Sequence, residues 1–296
     1  VRTLAVGAVG ALADAQQRVA IDLAKGVEVG SSVILARELY ELFDGRWRIP
    51  LTGLTADDLK AFLAKLETVQ DIDDFHINAF LVKASQQGAR AVVELLLKRI
   101  RRQSIEGKNY SALPSLGFRD PLTGLATSQD QEQILREIRD TSLEPGWPIA
   151  HWVPELFREI SSGFESSASL KVLDEWVNSG DSGRIKAAAR LVSGAQPAFV
   201  FRHVGFVSNL LERAHAAGDA TYRSVSSSMA RSALSGTRSG TPGQPMPQDV
   251  AIRDQASAVA TQFIAGSPTH RFYTSLAKSA EADIRDQLLR DEELFE

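Results

Sequence analysis

Apolar residues recur every three or four positions along most of the chain and hardly ever alternate, so the pattern predicts helices and no strands. Leu4, Ala8, Ala11, Ala15 and Val19 mark a first helix, which the glycines of 26–30 end. Leu35, Leu39 and Leu42 mark a second, after Ser31 and Ser32 and before the stop at Asp44-Gly45. Positions 50–55 read as a turn. Thr55 and Asp58 then make a capping box, with Asp in the usual Glu place, ahead of a stripe of Leu59, Phe62, Leu63 and Leu66. Asp73 is the expected cap of the next segment, which carries Phe75, Ala79, Leu81 and Val82. Gln86-Gln87-Gly88 is expected to turn that segment into a second arm, with Val92, Leu95, Leu96 and Arg99 along one side and Glu94/Lys98 as a solvent-facing pair.

Between 103 and 121 the text turns irregular, with Gly107, Pro114 and Gly117, and this predicts a boundary. The expected division is an N-terminal helical block 1–103, a connector 104–121 and a C-terminal helical-repeat block 122–296. Ile134, Leu135 and Ile138 hold a helix over 128–140. Pro148 suits the first turn of the next, which carries Trp152, Leu156, Phe157 and Ile160, while Pro154 must fall within its first two turns or kink it.

Stretch 166–234 then repeats itself as two helical hairpins. Its helices carry Leu170, Leu173 and Val177; Ile185, Ala188, Ala189 and Val192; Val200, Val204, Val207 and Leu211 after Pro197; and Val225, Met229 and Leu234. Gly180-Asp181 and Gly218-Asp219, 38 residues apart, mark the turns: the Gly ends one helix and the Asp caps the next. An exposed loop is expected at 235–248. Two helices close the chain, with stripes of Ile252, Ala256, Val259 and Phe263 and of Phe272, Leu276, Ala280, Ile284 and Leu288. Glu281/Arg285 and Asp286/Arg290 are expected as surface pairs, and the acidic end, Asp291, Glu292, Glu293 and Glu296, as a solvated tail. About a dozen helices joined by short turns predict an all-α chain, an α-solenoid of stacked antiparallel hairpins.

Composition narrows this picture without redirecting it. With 44% hydrophobic and 24% charged residues, the 296-residue chain is globular in character and long enough to bury a sizeable core. A net charge of -4 gives no overall pull toward nucleic acid. The absence of cysteine excludes disulfides, thiolate nucleophiles and iron–sulfur clusters, and fits a cytoplasmic protein. No apolar run reaches the length of a membrane span. Segment 4–15 faintly mimics a signal peptide, but only Arg2 precedes it and helical text continues through Val19 and Ile21. The chain opens on Val1, which reads as one piece of a longer polypeptide.

Motifs that resemble catalytic chemistry all have simpler readings. Gly180-Asp181-Ser182-Gly183 spells the nucleophile segment of chymotrypsin-like proteases, yet it lies between two helices and reads as a glycine stop followed by a cap. Residues 120–125, Asp-Pro-Leu-Thr-Gly-Leu, are similar to the opening motif of diguanylate cyclase (GGDEF) domains; the metal- and phosphate-holding loop of that family is absent, so they are read as a turn. His76, His151, His203, His215 and His270 never pair at helical spacing, which predicts no helix-borne metal site, and His203 reads as an interhelical packing residue. No phosphate-binding glycine loop is present, and neither a cofactor, a metal nor a catalytic set is predicted. Lys98, Arg99, Arg101 and Arg102, with Lys108 nearby, form the densest basic strip; together with Trp47 between Arg46 and Arg48 they make the candidate interaction surface. Trp147, Trp152 and Trp176 are expected as packing anchors.

The tandem hairpins resemble HEAT-like α-helical repeats. Leu173-Asp174-Glu175-Trp176 through Leu191, Phe199-Val200-Phe201 through Leu211, and Ser267-Pro268 through Phe272-Tyr273 are also similar to the C-terminal helical regions of large bacterial STAND-type NTPases of signalling and defence. The resemblance implies a sensing or protein-binding region whose NTPase and effector domains lie N-terminal to it. The expected function is therefore a non-catalytic helical-repeat scaffold or sensor that binds a protein partner. Two alternatives stand beside it: nucleic-acid binding through the strip at 98–102, and an all-helical enzyme whose site is assembled from distant carboxylates.

Overall fold

A computed structural model describes residues 16–44, 49–107, 109–114, 123–161, 164, 166–241 and 243–295. Among these, every regular element is helical: fourteen α-helices, one 3-10 turn and no strand. Their contacts divide the chain into two units, one ending at Ile160 and the other starting at Ser161.

The first unit contains α1 (Gln17–Lys25), α2 (Val33–Asp44), a 3-10 turn (Leu51–Gly53), α3 (Ala56–Leu66), α4 (Phe75–Glu106), α5 (Thr123–Ala126), α6 (Gln131–Thr141) and α7 (Trp147–Ile160). At its centre is α4, two arms that meet at Gly88, packed against α2, α3, α5, α6 and α7. The capping box at the start of α3 forms as its spacing dictates: Asp58 N–H donates to Thr55 Oγ1 at 3.2 Å and Thr55 N–H to Asp58 Oδ2 at 3.0 Å. The stripe of α3 is buried, and Phe62 joins Tyr40, Phe43 and Phe80 in an aromatic core with ring centroids as close as 4.8 Å. Burying such rings contributes roughly 2–3 kcal/mol each. Tyr40 Oη also donates to Phe62 O at 2.6 Å, so its polar end is satisfied inside the core.

Two expectations for this unit change and one holds. The cap of α4 is Asp74, which accepts from His76 N–H and Ile77 N–H, rather than Asp73. The expected hairpin at Gln86-Gln87-Gly88 forms at a sharp kink in α4 at Gly88 (φ -148°, ψ 59°). From Asp74 through Phe80 and Lys83 the first arm follows Arg37, Tyr40 and Phe43 along α2, and the second arm returns along α3, where Lys98 stands by Glu67 and Arg99 reaches Val69. A side chain at Gly88 would bring its Cβ 2.7 Å from Leu59 Cδ2, so the glycine lets the second arm of α4 lie close on α3. Of the expected connector 104–121, residues 104–106 continue α4 and 109–114 fold onto the first unit, while contacts divide the chain at 160/161.

The reason is Arg99. Its position on the apolar stripe of α4 buries it completely, and its guanidinium donates to four carbonyl oxygens, those of Leu66, Val69, Ser111 and Ala112. Tyr110 stacks against it with the ring centroid 4.4 Å from Cζ, and Tyr110 Oη donates to Glu67 O at 2.6 Å. The fork of donors thus ties 111–112 to the end of α3, where unpaired helix carbonyls favour a cation. Burial pushes the Arg99 guanidinium down to about 10, still charged at neutral pH.

The second unit contains α8 (Ser167–Val177), α9 (Ser182–Val192), α10 (Ala198–Arg202), α11 (Val204–Ala216), α12 (Asp219–Ala233), α13 (Pro247–Ala260) and α14 (Pro268–Phe295). Gly180 adopts φ 73° and Asp181 caps α9 by accepting from Arg184 N–H at 2.8 Å, so the protease-like tetrapeptide is a helix turn. At the second mark Gly218 (φ 113°) is itself the cap, and Asp219 sits in the first turn of α12. The helix expected from Pro197 to Leu211 is broken at His203, between α10 and α11. Glu281 pairs with Arg253 of α13 at 3.1 Å, across to a neighbouring helix instead of along its own with Arg285. The loop after α12 is tied down: Arg238 meets the buried Asp249 at 2.6 Å, and Gln287 bonds the backbone of Met246 and Gln244.

Candidate functional site

The stripe that buries Leu59, Phe62, Leu63 and Leu66 fixes what the rest of α3 can present: Ala56, Lys60, Ala64 and Glu67 follow one another along its outer edge. The burial of Val92, Leu96 and Arg99 likewise leaves Gly88, Ala91, Leu95 and Lys98 along the facing edge of α4. Between these edges runs a groove. Its wide end, at the Gly88 kink, is a cleft of about 590 Å³ walled on its far side by Gly124 and 127–130. Its narrow end encloses about 260 Å³ over Leu63, Ala64 and Leu95, and Lys60 and Ala91 belong to both ends.

Local structure holds the walls in place. Buried Asp58 receives Arg18 at 2.6 Å and Lys25 at 2.7 Å from α1, pinning α3 from behind. These contacts, led by the Arg18 hydrogen bond, hold its carboxyl well below the usual range. On the far wall, α5 approaches α4 so closely that a Cβ at Gly124 would clash with Ser85 Oγ and lie 2.9 Å from Gln86 N. The 120–125 motif that resembles a cyclase signature therefore ends in a packing glycine, while 120–122 lie outside the described residues.

The floor of the groove is small and apolar, and its rim is charged. Lys60 and Arg90 are exposed, and neither forms an ion pair with another described residue. Lys98 holds Glu94 at 2.8 Å and lowers its carboxyl, with Lys60 and Arg90 adding to the effect. Amides of Gln86 and Gln129 and hydroxyls of Thr127 and Ser128 complete the wide end. Such a lining can grip a chain by shape, hydrogen bonds and charge. No cluster of three or more His, Cys, Asp or Glu able to hold a metal occurs among the described residues.

The basic strip expected at 98–102 is dispersed by the fold. Lys98 lines the groove; Arg99 is wholly buried, a correction to its place on a surface. Arg101 makes a bidentate pair with Glu144 (2.7 and 2.9 Å), and Arg102 pairs with Glu106 at 2.8 Å. Trp47 and Lys108 lie outside the described residues. Trp176 is buried as expected, but Trp147 is 64% exposed and stacks on His151 at 5.0 Å, so it is not a packing anchor. His203 packs against Phe199 at 4.8 Å, and burial lowers its pKa.

Sequence reasoning missed Lys60, Arg90 and the small residues Ala56, Ala64, Gly88 and Ala91. Their signal was the recurrence of Ala and Gly beside the apolar stripes, which becomes a groove only once α3 and α4 are known to lie together. No helix among the described residues is long and apolar enough to cross a membrane. In comparison with protein-family models, curated proteins and solved structures, the chain matches none.

Proposed function

We propose that this chain is a non-catalytic helical-repeat scaffold or sensor, of the HEAT-like kind its hairpins resemble, that binds a protein partner through the groove between α3 and α4. The observation that carries the proposal is the groove's lining. Small and aliphatic side chains run along its floor over the span of three helical turns, and charged side chains stand on its rim. A helix or extended segment laid into such a trough buries apolar area against a preformed wall, a recurring mode of peptide recognition. Signalling is the setting in which the sequence resemblance places such a module, and a stacked arrangement of hairpins would extend the surface beyond this groove.

The test is to fill the trough. Peptides selected from a displayed random library on the whole chain should bind the wild type and lose binding in Ala91→Trp, or in Ala64→Trp where the first variant fails to fold. Peptides that ignore both variants would sink the proposal. So would turnover of a substrate by the purified chain that disappears on mutating a single groove residue.

A further inference from the structure

The two ends of the groove differ in charge, and that difference selects the occupant. At the wide end Lys60 and Arg90 stand on facing rims without ion-pair partners among the described residues, and Asp130 on the far wall is the one carboxylate in the lining. At the narrow end Lys98 holds Glu94 at 2.8 Å and Glu67 stands alongside, so carboxylate is in excess there; Lys60 and Arg90 feel Glu94 from a distance but bond no carboxylate among the described residues. Two unpaired cations flanking a concave surface favour a carboxylate between them and reject a basic one. Beneath them Ala56, Gly88 and Ala91 project nothing beyond a methyl group, leaving room for a backbone to approach closely. From Ala56 to Glu67 the α3 edge runs about 16 Å at 1.5 Å per residue, the length of three turns of a helix.

Resting on the reading of the groove as a partner site, we infer that its occupant is an amphipathic helix of another protein, about three turns long, with an acidic end. Its carboxylates sit between Lys60 and Arg90. Its apolar residues, spaced three and four apart, lie over Ala64, Ala91 and Leu95. The partner is thus recognised by a local acidic cluster joined to an aliphatic stripe, not by overall charge, in keeping with this chain's own net charge of only -4.

The experiment repeats the library selection on the whole chain in three forms: wild type, Ala91→Trp and Lys60→Glu/Arg90→Glu. Both charged residues are exposed, so circular dichroism should show the double variant folded as the wild type. Peptides from the wild type should carry clustered Asp or Glu at one end of an apolar i, i+3/i+4 pattern. By fluorescence anisotropy a synthesised example should bind about tenfold more weakly to the double variant, which should itself select Lys- or Arg-ended peptides. Groove-dependent peptides with no acidic enrichment, or with unchanged affinity for the double variant, would overturn this inference while leaving the groove as a partner site. Peptides indifferent to Ala91→Trp would overturn both. Tighter binding of a single-stranded oligonucleotide at the same rims would assign the cations to phosphate and overturn the acidic-helix inference.

Discussion

At the scale of single residues, neighbouring cations of one short segment do unlike work because burial differs from one to the next. Arg99 answers four carbonyls in a dry site, whereas Arg101 and Arg102 hold carboxylates in water. Arg99→Met should therefore cost at least about 3 kcal/mol in denaturant unfolding, since methionine fills the space but leaves several buried acceptors unpaired. Arg101→Ala should cost less than about 1 kcal/mol. Asp58 gives a pH signature. Its carboxyl is depressed in the folded state, so below neutrality the unfolded chain binds more protons and the stability Asp58 contributes is lost as pH falls, beginning near about pH 5. Unfolding midpoints measured from pH 7 to pH 3 should fall more steeply for the wild type than for Asp58→Asn; parallel curves would refute the assignment.

At the scale of elements, what was legible in the sequence was what lies within one helical turn. The Thr55–Asp58 box, the Gly180 stop with its Asp181 cap, and the stripes of α3, α6 and α9 are local and appear in the structure where spacing placed them. Features that depend on a distant neighbour were not legible. Gln86-Gln87-Gly88 has the composition of a turn and makes one, but how closely its second arm lies on α3 depends on Leu59, whose Cδ2 is 2.7 Å from where a Cβ at Gly88 would stand. The groove was hidden for the same reason, because neither edge is distinctive alone. Arg99 was legible by position and misleading by charge. Gly88→Ala should then destabilise the first unit by about 1–3 kcal/mol despite alanine's better helix propensity, and Leu59→Ala in the same chain should recover part of that loss. A Gly88→Ala variant as stable as the wild type would show that Leu59 yields freely.

At the scale of the whole molecule, each of the two units has its own buried core: Tyr40, Phe62 and Phe80 in one, Leu173, Val207, Leu210 and Tyr273 in the other. A fragment of residues 161–296 should accordingly remain helical and unfold cooperatively by circular dichroism; a featureless melt would mean that its core needs the first unit. The division at 160/161 falls where Ser161-Ser162-Gly163 gives only a short turn signal, and the longer irregular text at 104–121 drew the expected boundary instead. Within the first unit the caged guanidinium has a use of its own. The Nε proton of Arg99 points at Ala112 O, 3.2 Å away, with no route to water while α4, the end of α3 and 111–112 stay together. Side-chain guanidinium protons on protein surfaces trade with solvent too fast to follow at neutral pH. This one should persist in the nitrogen-15 spectrum, and its decay in deuterium oxide would time the opening of the unit from a single resolved resonance.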